Sequence, residues 1–223
     1  MKMKRFIATA VMMIALTGAG SSQGVNWRSL QDEQLNLVQL NFGYDFGATI
    51  GARYGRLMNI GRPVVLGLEY SMPMGRDLVD DFKVRIGGEV EVVQLDGFSA
   101  TVKIFSNLRR YENALVRIIS FGSDFAAVAG YYRSTWHAAG EFGFDKAIAT
   151  HLKHSDTMKA DFPAIRDGWY VPTGGNFYYG IQGGKTIGDN LDLTLRLGVT
   201  SAQEKDENPE IPFYAQLGVG MRF

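Results

Sequence analysis

The chain has 223 residues, a formal net charge of zero and no cysteine. Its length suits one domain or one small membrane barrel. The balanced charge leaves no basic field to hold nucleic acid, and the lack of thiols excludes disulfides, thiolate chemistry and a lipid-anchored cysteine.

The N-terminus reads MKMKRFIATAVMMIALTGAGSSQG. Lys2, Lys4 and Arg5 form a basic flank, Phe6 to Leu16 is a short apolar core, and small residues follow. This layout predicts a secretory signal peptide over 1–24, with Ala19 a suitable cleavage point. The apolar run is shorter than the ~20 residues a membrane helix needs. Loss of 1–24 removes three basic residues and no acid, leaving a net charge of -3. The remaining 25–223 reads as one barrel domain that opens with a short periplasmic segment. Within that segment, Trp27 to Gln34 is a candidate short helix or lumen plug.

From residue 37 the pattern has period two. Val38, Leu40, Phe42, Tyr44, Phe46, Ala48, Ile50, Ala52 and Tyr54 share one face, and Gln39, Asn41, Asp45, Thr49 and Arg53 share the other. The alternation predicts a single long strand over 37–56. Strands over 63–72, 81–94 and 98–106 follow. Leu66, Leu68, Tyr70, Phe82, Val84, Ile86, Phe98, Val102 and Ile104 face one way in them, while Glu69, Asp81, Lys83, Arg85, Glu89, Glu91 and Lys103 face the other. Alternation is poor in the middle, where 112–121 and 125–133 read as two strands, and it returns in 138–150.

A polar stretch from 151 to 175 precedes strands over 176–186, 190–200 and 213–223. The compact TIGDNL turn joins the first two of these, and the polar SAQEKDENPEIP joins the last two. Ten strands are predicted, with eight or twelve as alternatives, and even numbers suit single-chain bacterial barrels. With both termini in the periplasm, the long loops near 151–175 and 201–212 fall outside the cell. The connection MPMGRDLVDD is then long for a periplasmic turn.

A soluble sandwich or lipocalin-like barrel also alternates, with its apolar face in the core. Three features point to the membrane instead. Glycines cluster on the polar faces of the first and last strands, as a crowded lumen requires. Aromatics recur near strand ends, and Tyr54, Tyr70, Phe98, Phe213 and Phe223 suit the two interfacial girdles. The closing PFYAQLGVGMRF, ending on Phe223, resembles the C-terminal signature of Gram-negative outer-membrane β-barrel proteins. The resemblance implies an all-β fold, a closed antiparallel transmembrane β-barrel in the cell outer membrane. It also implies contact with outer-membrane lipid and lipopolysaccharide, and recognition by the barrel assembly machinery. The expected state is a monomer without a cofactor.

The faces assigned to the lumen carry Arg53, Lys83, Arg85, Lys103, Arg117, Arg196 and Arg222 against Asp45, Glu69, Asp81, Glu89, Glu91, Glu141, Asp145 and Asp192. This near balance predicts pairing across neighbouring strands and a largely plugged lumen with a structural or surface-interaction role. A narrow polar channel and a lipid-modifying enzyme are the alternatives. For the enzyme, His151 and His154 share a loop with Ser155, Asp156 and Asp161, a set from which a Ser–His–acid relay is sometimes built. The H-x-x-H spacing would suit a metal only on a helix. His137, next to Trp136, reads as half of an interfacial aromatic pair. GGKT in IQGGKTIGD lacks the upstream glycine of a phosphate loop.

Overall fold

The computed structural model describes residues 24–30, 34–75, 79–172, 174–204, 209 and 211–223. The predicted signal peptide lies outside the described residues except for Gly24. Strands run β1 Asn36–Tyr44, β2 Ala48–Asn59, β3 Pro63–Pro73, β4 Asp81–Leu95, β5 Phe98–Glu112, β6 Val116–Tyr132 and β7 Trp136–His154. A short helix, α1 (Asp156–Asp161), and a three-residue strand, β8 (Gly168–Tyr170), precede β9 Asn176–Ile187, β10 Leu191–Ala202 and β11 Phe213–Arg222.

Ten strands form a closed antiparallel ring. Each of β1 to β6 pairs with the next, β6 pairs with β7, β7 with β9, and β9, β10 and β11 lead back to β1. Leu37↔Arg222 through Tyr44↔Ala215 make the closing seam. Reciprocal backbone bonds between Asn36 and Phe223, 2.9 and 3.0 Å, extend it to the last residue. In hydrocarbon an unpaired strand edge would cost several kcal/mol per polar group, and this ring has no such edge. β8 pairs only with the projecting tip of β7.

The strand number matches the sequence reading, but two boundaries differ and cancel. The run over 37–56 is a hairpin, turned by Asp45–Phe46–Gly47, in which Tyr44 pairs with Ala48. An odd-length turn returns the chain with its parity intact, so the alternation passes through it unbroken. Conversely, 112–121 and 125–133 are one continuous strand, β6. Its Gly122-Ser123-Asp124 has turn composition, yet it pairs throughout with β5. Opposite Gly122 the register on β7 skips Ile148, a β-bulge that reverses the alternation of the final third of β7.

The extra hairpin also places the loops. At the end that carries the termini, the connections are short: 60–62, 96–97, 133–135 and 188–190. Asp96 and Gly97 both have positive φ, 35° and 92°, as a two-residue hairpin turn requires. Loops 74–80, 155–175 and 203–212 lie at the opposite end. The MPMGRDLVDD connection therefore falls among the long loops.

The burial pattern is inverted relative to a soluble barrel. Leu68, Ile86, Phe142, Ile181 and Leu217 are 50–63% exposed on the outer wall. The largest fully buried side chains are instead four arginines: Arg53, Arg85, Arg196 and Arg222. Charged residues are almost never fully buried unless paired, and the pairs are inside.

Candidate functional site in the barrel interior

Three sets of ion pairs fill the middle of the barrel. In the first, Arg53 on β2 meets Glu89 on β4 at 2.5 Å, and Lys103 on β5 approaches the other Glu89 oxygen at 3.6 Å. In the second, Arg85 on β4 holds Glu69 on β3 at 2.8 Å and Asp124 on β6 at 2.6 Å, with its guanidinium 4.6 Å from the Phe105 ring. In the third, Arg196 on β10 donates to Glu141 on β7 at 2.6 Å and lies 4.3 Å over the Tyr214 ring. Charge-assisted bonds of this length are among the strongest a protein makes. They also offset part of the cost of burying each ion.

Two tyrosines extend the network. Tyr178 on β9 donates to Asp124 at 2.7 Å, and Tyr214 on β11 donates to Glu141 at 2.5 Å. Each ring lies along the wall over glycine. A Cβ on Gly143 would meet the Tyr178 ring at 2.2 Å, and one on Gly198 would meet the Tyr214 hydroxyl at 2.1 Å. Gly143 and Gly198 on the polar face are therefore slots for tyrosines of the neighbouring strands.

Toward the long loops, Lys83 faces Asp145 at 3.7 Å, and Arg109 faces Asp81 at 3.7 Å. Asp45 is 4% exposed, with no hydrogen-bond partner for either carboxylate oxygen among the described residues, in the field of Lys83, Arg85, Arg109 and Arg196. Toward the termini, Arg222 meets Asp192 at 3.0 Å, and Thr186 donates to the same carboxylate at 2.7 Å.

The segment 24–30 enters this end of the barrel. Val25 and Trp27 pack with the inward-facing Leu37, Val65, Val128, Tyr132 and Ala139. The Gly24 N–H donates to Gln182 at 3.0 Å, and Asn26 donates to the Arg133 carbonyl at 3.0 Å and to Thr186 at 3.2 Å. The Ser29 carbonyl accepts from Arg222, and Arg28 lies 3.9 Å from Glu91. Of the region Trp27 to Gln34, the described residues, 27–30 and 34, contain a turn and no helix.

Asp45, Arg53, Glu69, Lys83, Arg85, Glu89, Glu91, Lys103, Glu141, Asp145, Asp192, Arg196 and Arg222 are all buried. Arg117 is placed differently: its side chain is 42% exposed and it holds Glu112 at 2.7 Å beside the 113–115 turn. Val116 and Ile118 take the inward positions around it. Sequence reading missed Asp124 and Arg109, one in the supposed turn of β6 and the other beyond the supposed end of β5. Phe46 also turns inward, 8% exposed and 4.5 Å from the Arg109 guanidinium. His137 is 5% exposed and stacked on Tyr132 at 5.2 Å, while Trp136 faces outward and packs on Tyr131. Adjacent strand residues point to opposite faces, so those two cannot form one interfacial pair.

Tyr54, Tyr70, Phe98, Phe213 and Phe223 are exposed on the outer wall. Tyr70 stacks on Phe82 and Phe213 on Tyr44, at centroid separations of 5.8 and 5.4 Å.

The residues of the enzyme alternative are arranged otherwise, and His151 and His154 lie on the end of β7. Ser155 is the N-cap of α1, and its side chain accepts the Met158 N–H at 3.2 Å. His154 Nδ1 lies 3.0 Å from Asp167, and His151 packs edge-on against Trp169. Lys159 binds the other Asp167 oxygen at 2.7 Å. That bond, with the His154 backbone N–H, holds the Asp167 carboxyl well below its ordinary 3.8. Among the described residues, no cluster of three or more His, Asp or Glu side chains could hold a metal ion.

A closed ten-strand ring with an apolar outer wall and an ion-paired interior defines a transmembrane β-barrel of the outer-membrane type. No protein-family model matches the chain, and no curated protein matches it. Among solved structures it is similar to the crystal structure of the N-terminal β-barrel domain of Pseudomonas aeruginosa OprF, at 16% identity and a TM-score of 0.29. That alignment covers 85% of this chain and 98% of the other.

Proposed function

We propose that the protein is a structural outer-membrane barrel whose lumen does not pass solutes. One observation carries this reading: the central ion pairs skip over intervening strands. Arg53–Glu89 passes β3, Arg85–Asp124 passes β5, and Arg196–Glu141 passes β9. Bonds of that reach draw long side chains over the lumen cross-section. The packing of Val25 and Trp27 at one end adds a second obstruction.

In this reading residues 1–24 act as the export signal. The termini and short turns are periplasmic, the longer loops face outward, and the chain acts as a monomer. Tyr54, Tyr70, Phe98, Phe213 and Phe223 sit at the two membrane interfaces. The outer loops, with Trp169 at 61% exposure, are placed to meet lipopolysaccharide or a surface ligand. The β11 strand carries the signal for the assembly machinery. Single-channel recording in planar bilayers tests the central claim. A folded sample should give no steady conductance. Stable steps that change size when Lys83 or Arg85 is neutralised would replace this reading with a pore.

A further inference from the structure

The outer wall carries a groove of about 650 Å³ on β6, β7, β9 and β10, in the half nearer the termini. That volume lies within the ~300–1,000 Å³ typical of small-molecule sites. The strand register explains its form. Ala138, Gly183, Leu195 and Leu217 are successive cross-strand neighbours on the outer face. The next row contains Ala129, Gly140 and Ile181. Small residues lower the floor and leucines raise one wall. A Cβ added at Gly140 would find nothing closer than 3.9 Å.

The foot of the groove is cationic. Lys185 pairs in register with Trp136 on one side and Leu193 on the other, one outward position below Gly183. It is exposed and forms no ion pair with any described residue. Arg133 follows in the same row beyond Trp136, whose carbonyl accepts from its backbone N–H, and its guanidinium lies 4.8 Å from the Tyr131 ring and donates to the Tyr131 hydroxyl. Tyr131 and Trp136 are themselves in contact at 5.9 Å. An apolar trough thus ends at two cations bracketed by amphipathic aromatics, the residues that favour the headgroup level of a bilayer.

We propose that this groove seats an acyl chain of an anionic phospholipid from the periplasmic leaflet, with the lipid phosphate held by Lys185 and Arg133. The proposal rests on the membrane reading, which puts the outer wall in hydrocarbon. Charge complementarity selects the headgroup: basic residues at the membrane surface attract anionic lipid. The same cations disfavour a second copy of the chain, because an isologous contact centred here would bring like charges together.

The test uses the full chain refolded in detergent and mixed with phosphatidylglycerol or phosphatidylcholine of identical acyl chains. Native mass spectrometry reads retained lipid, and an unboiled gel of each sample reads barrel folding. Wild type should retain one phosphatidylglycerol in preference to phosphatidylcholine. Lys185→Gln should lower that retention about fivefold. Gly140→Leu, which fills the open floor, should lower retention of both lipids. Equal phosphatidylglycerol retention by folded wild type and both folded variants would overturn the groove assignment while leaving the barrel intact. A dimer peak lost in Gly140→Leu, in place of a lipid adduct, would also overturn it. Absence of a heat-dependent gel shift in wild type would remove the membrane reading itself.

Discussion

Arg85 is the interior residue whose removal has the clearest consequence. It balances two buried carboxylates, Glu69 and Asp124, and all three side chains are at most 4% exposed. Arg85→Ala leaves both acids without their cation, and breaking a buried pair in this way costs about 3–5 kcal/mol. Urea unfolding in detergent should show that loss. Adding Glu69→Gln and Asp124→Asn should recover much of it, because the stranded charges are then gone. If the triple variant is no more stable than Arg85→Ala, the pairs are not the source of the loss.

In the 155–175 loop, Asp167 clasps α1 through Lys159 and the end of β7 through the His154 N–H. Its folded-state pKa is depressed, so its stabilisation is present above the ordinary value of 3.8 and is lost only as pH falls through the lower folded value. Limited proteolysis should find the loop protected at pH 4 and increasingly cut below that. Asp167→Asn should be cut faster than wild type at neutral pH, where the carboxylate is fully charged.

Strands in this barrel are specified on both faces at once. The outer face needs only apolar bulk, so its sequence is a simple alternation. The inner face needs complementary volumes: a glycine on one strand admits a tyrosine from another. Gly143→Val would push the Tyr178 ring from its slot and break its bond to Asp124. Overpacking of this kind costs about 1–3 kcal/mol. Tyr178→Phe removes only the hydroxyl; losing a hydrogen bond to a charged group costs about 1.5–3 kcal/mol, and Gly143→Val loses that same bond on top of the overpacking. Thermal unfolding should therefore rank Gly143→Val below Tyr178→Phe. The reverse order would mean that the slot tolerates a side chain.

The molecule as a whole exchanges the usual roles of core and surface. Lipid supplies the apolar environment outside, and the polar network supplies the packing inside. Closure of the strand ring leaves no edge from which SDS can begin to unzip the sheet. Outer-membrane fractions run unboiled should therefore migrate faster than boiled samples. Replacement of β11 residues Leu217 and Val219 by aspartate should abolish the shift, because a charge on the lipid face near the midplane is destabilising. A protein found instead in the soluble periplasmic fraction, with no shift, would place the apolar wall against another protein.

The alternation of residues 37–56, 81–94 and 190–223 was enough to determine an all-β chain with one apolar and one charged face. In those segments it also placed ten buried charged positions on the polar side. It determined no partner for any of them. Arg53 lies in register opposite Glu69, yet it bonds to Glu89 one strand further on. That choice follows from how the strands tilt and from how far a side chain reaches over the lumen, neither of which is written in a linear period-two pattern. The hairpin at Asp45–Gly47 was hidden for the same reason, since a three-residue turn leaves parity unchanged. The polar stretch of β6 was hidden in the opposite sense, since Gly122, Ser123 and Asp124 have turn chemistry but lie between two paired neighbours. Sequence determines which face a residue takes because that depends on its own strand. Only the closed ring decides which residue it meets, because that depends on the other nine strands.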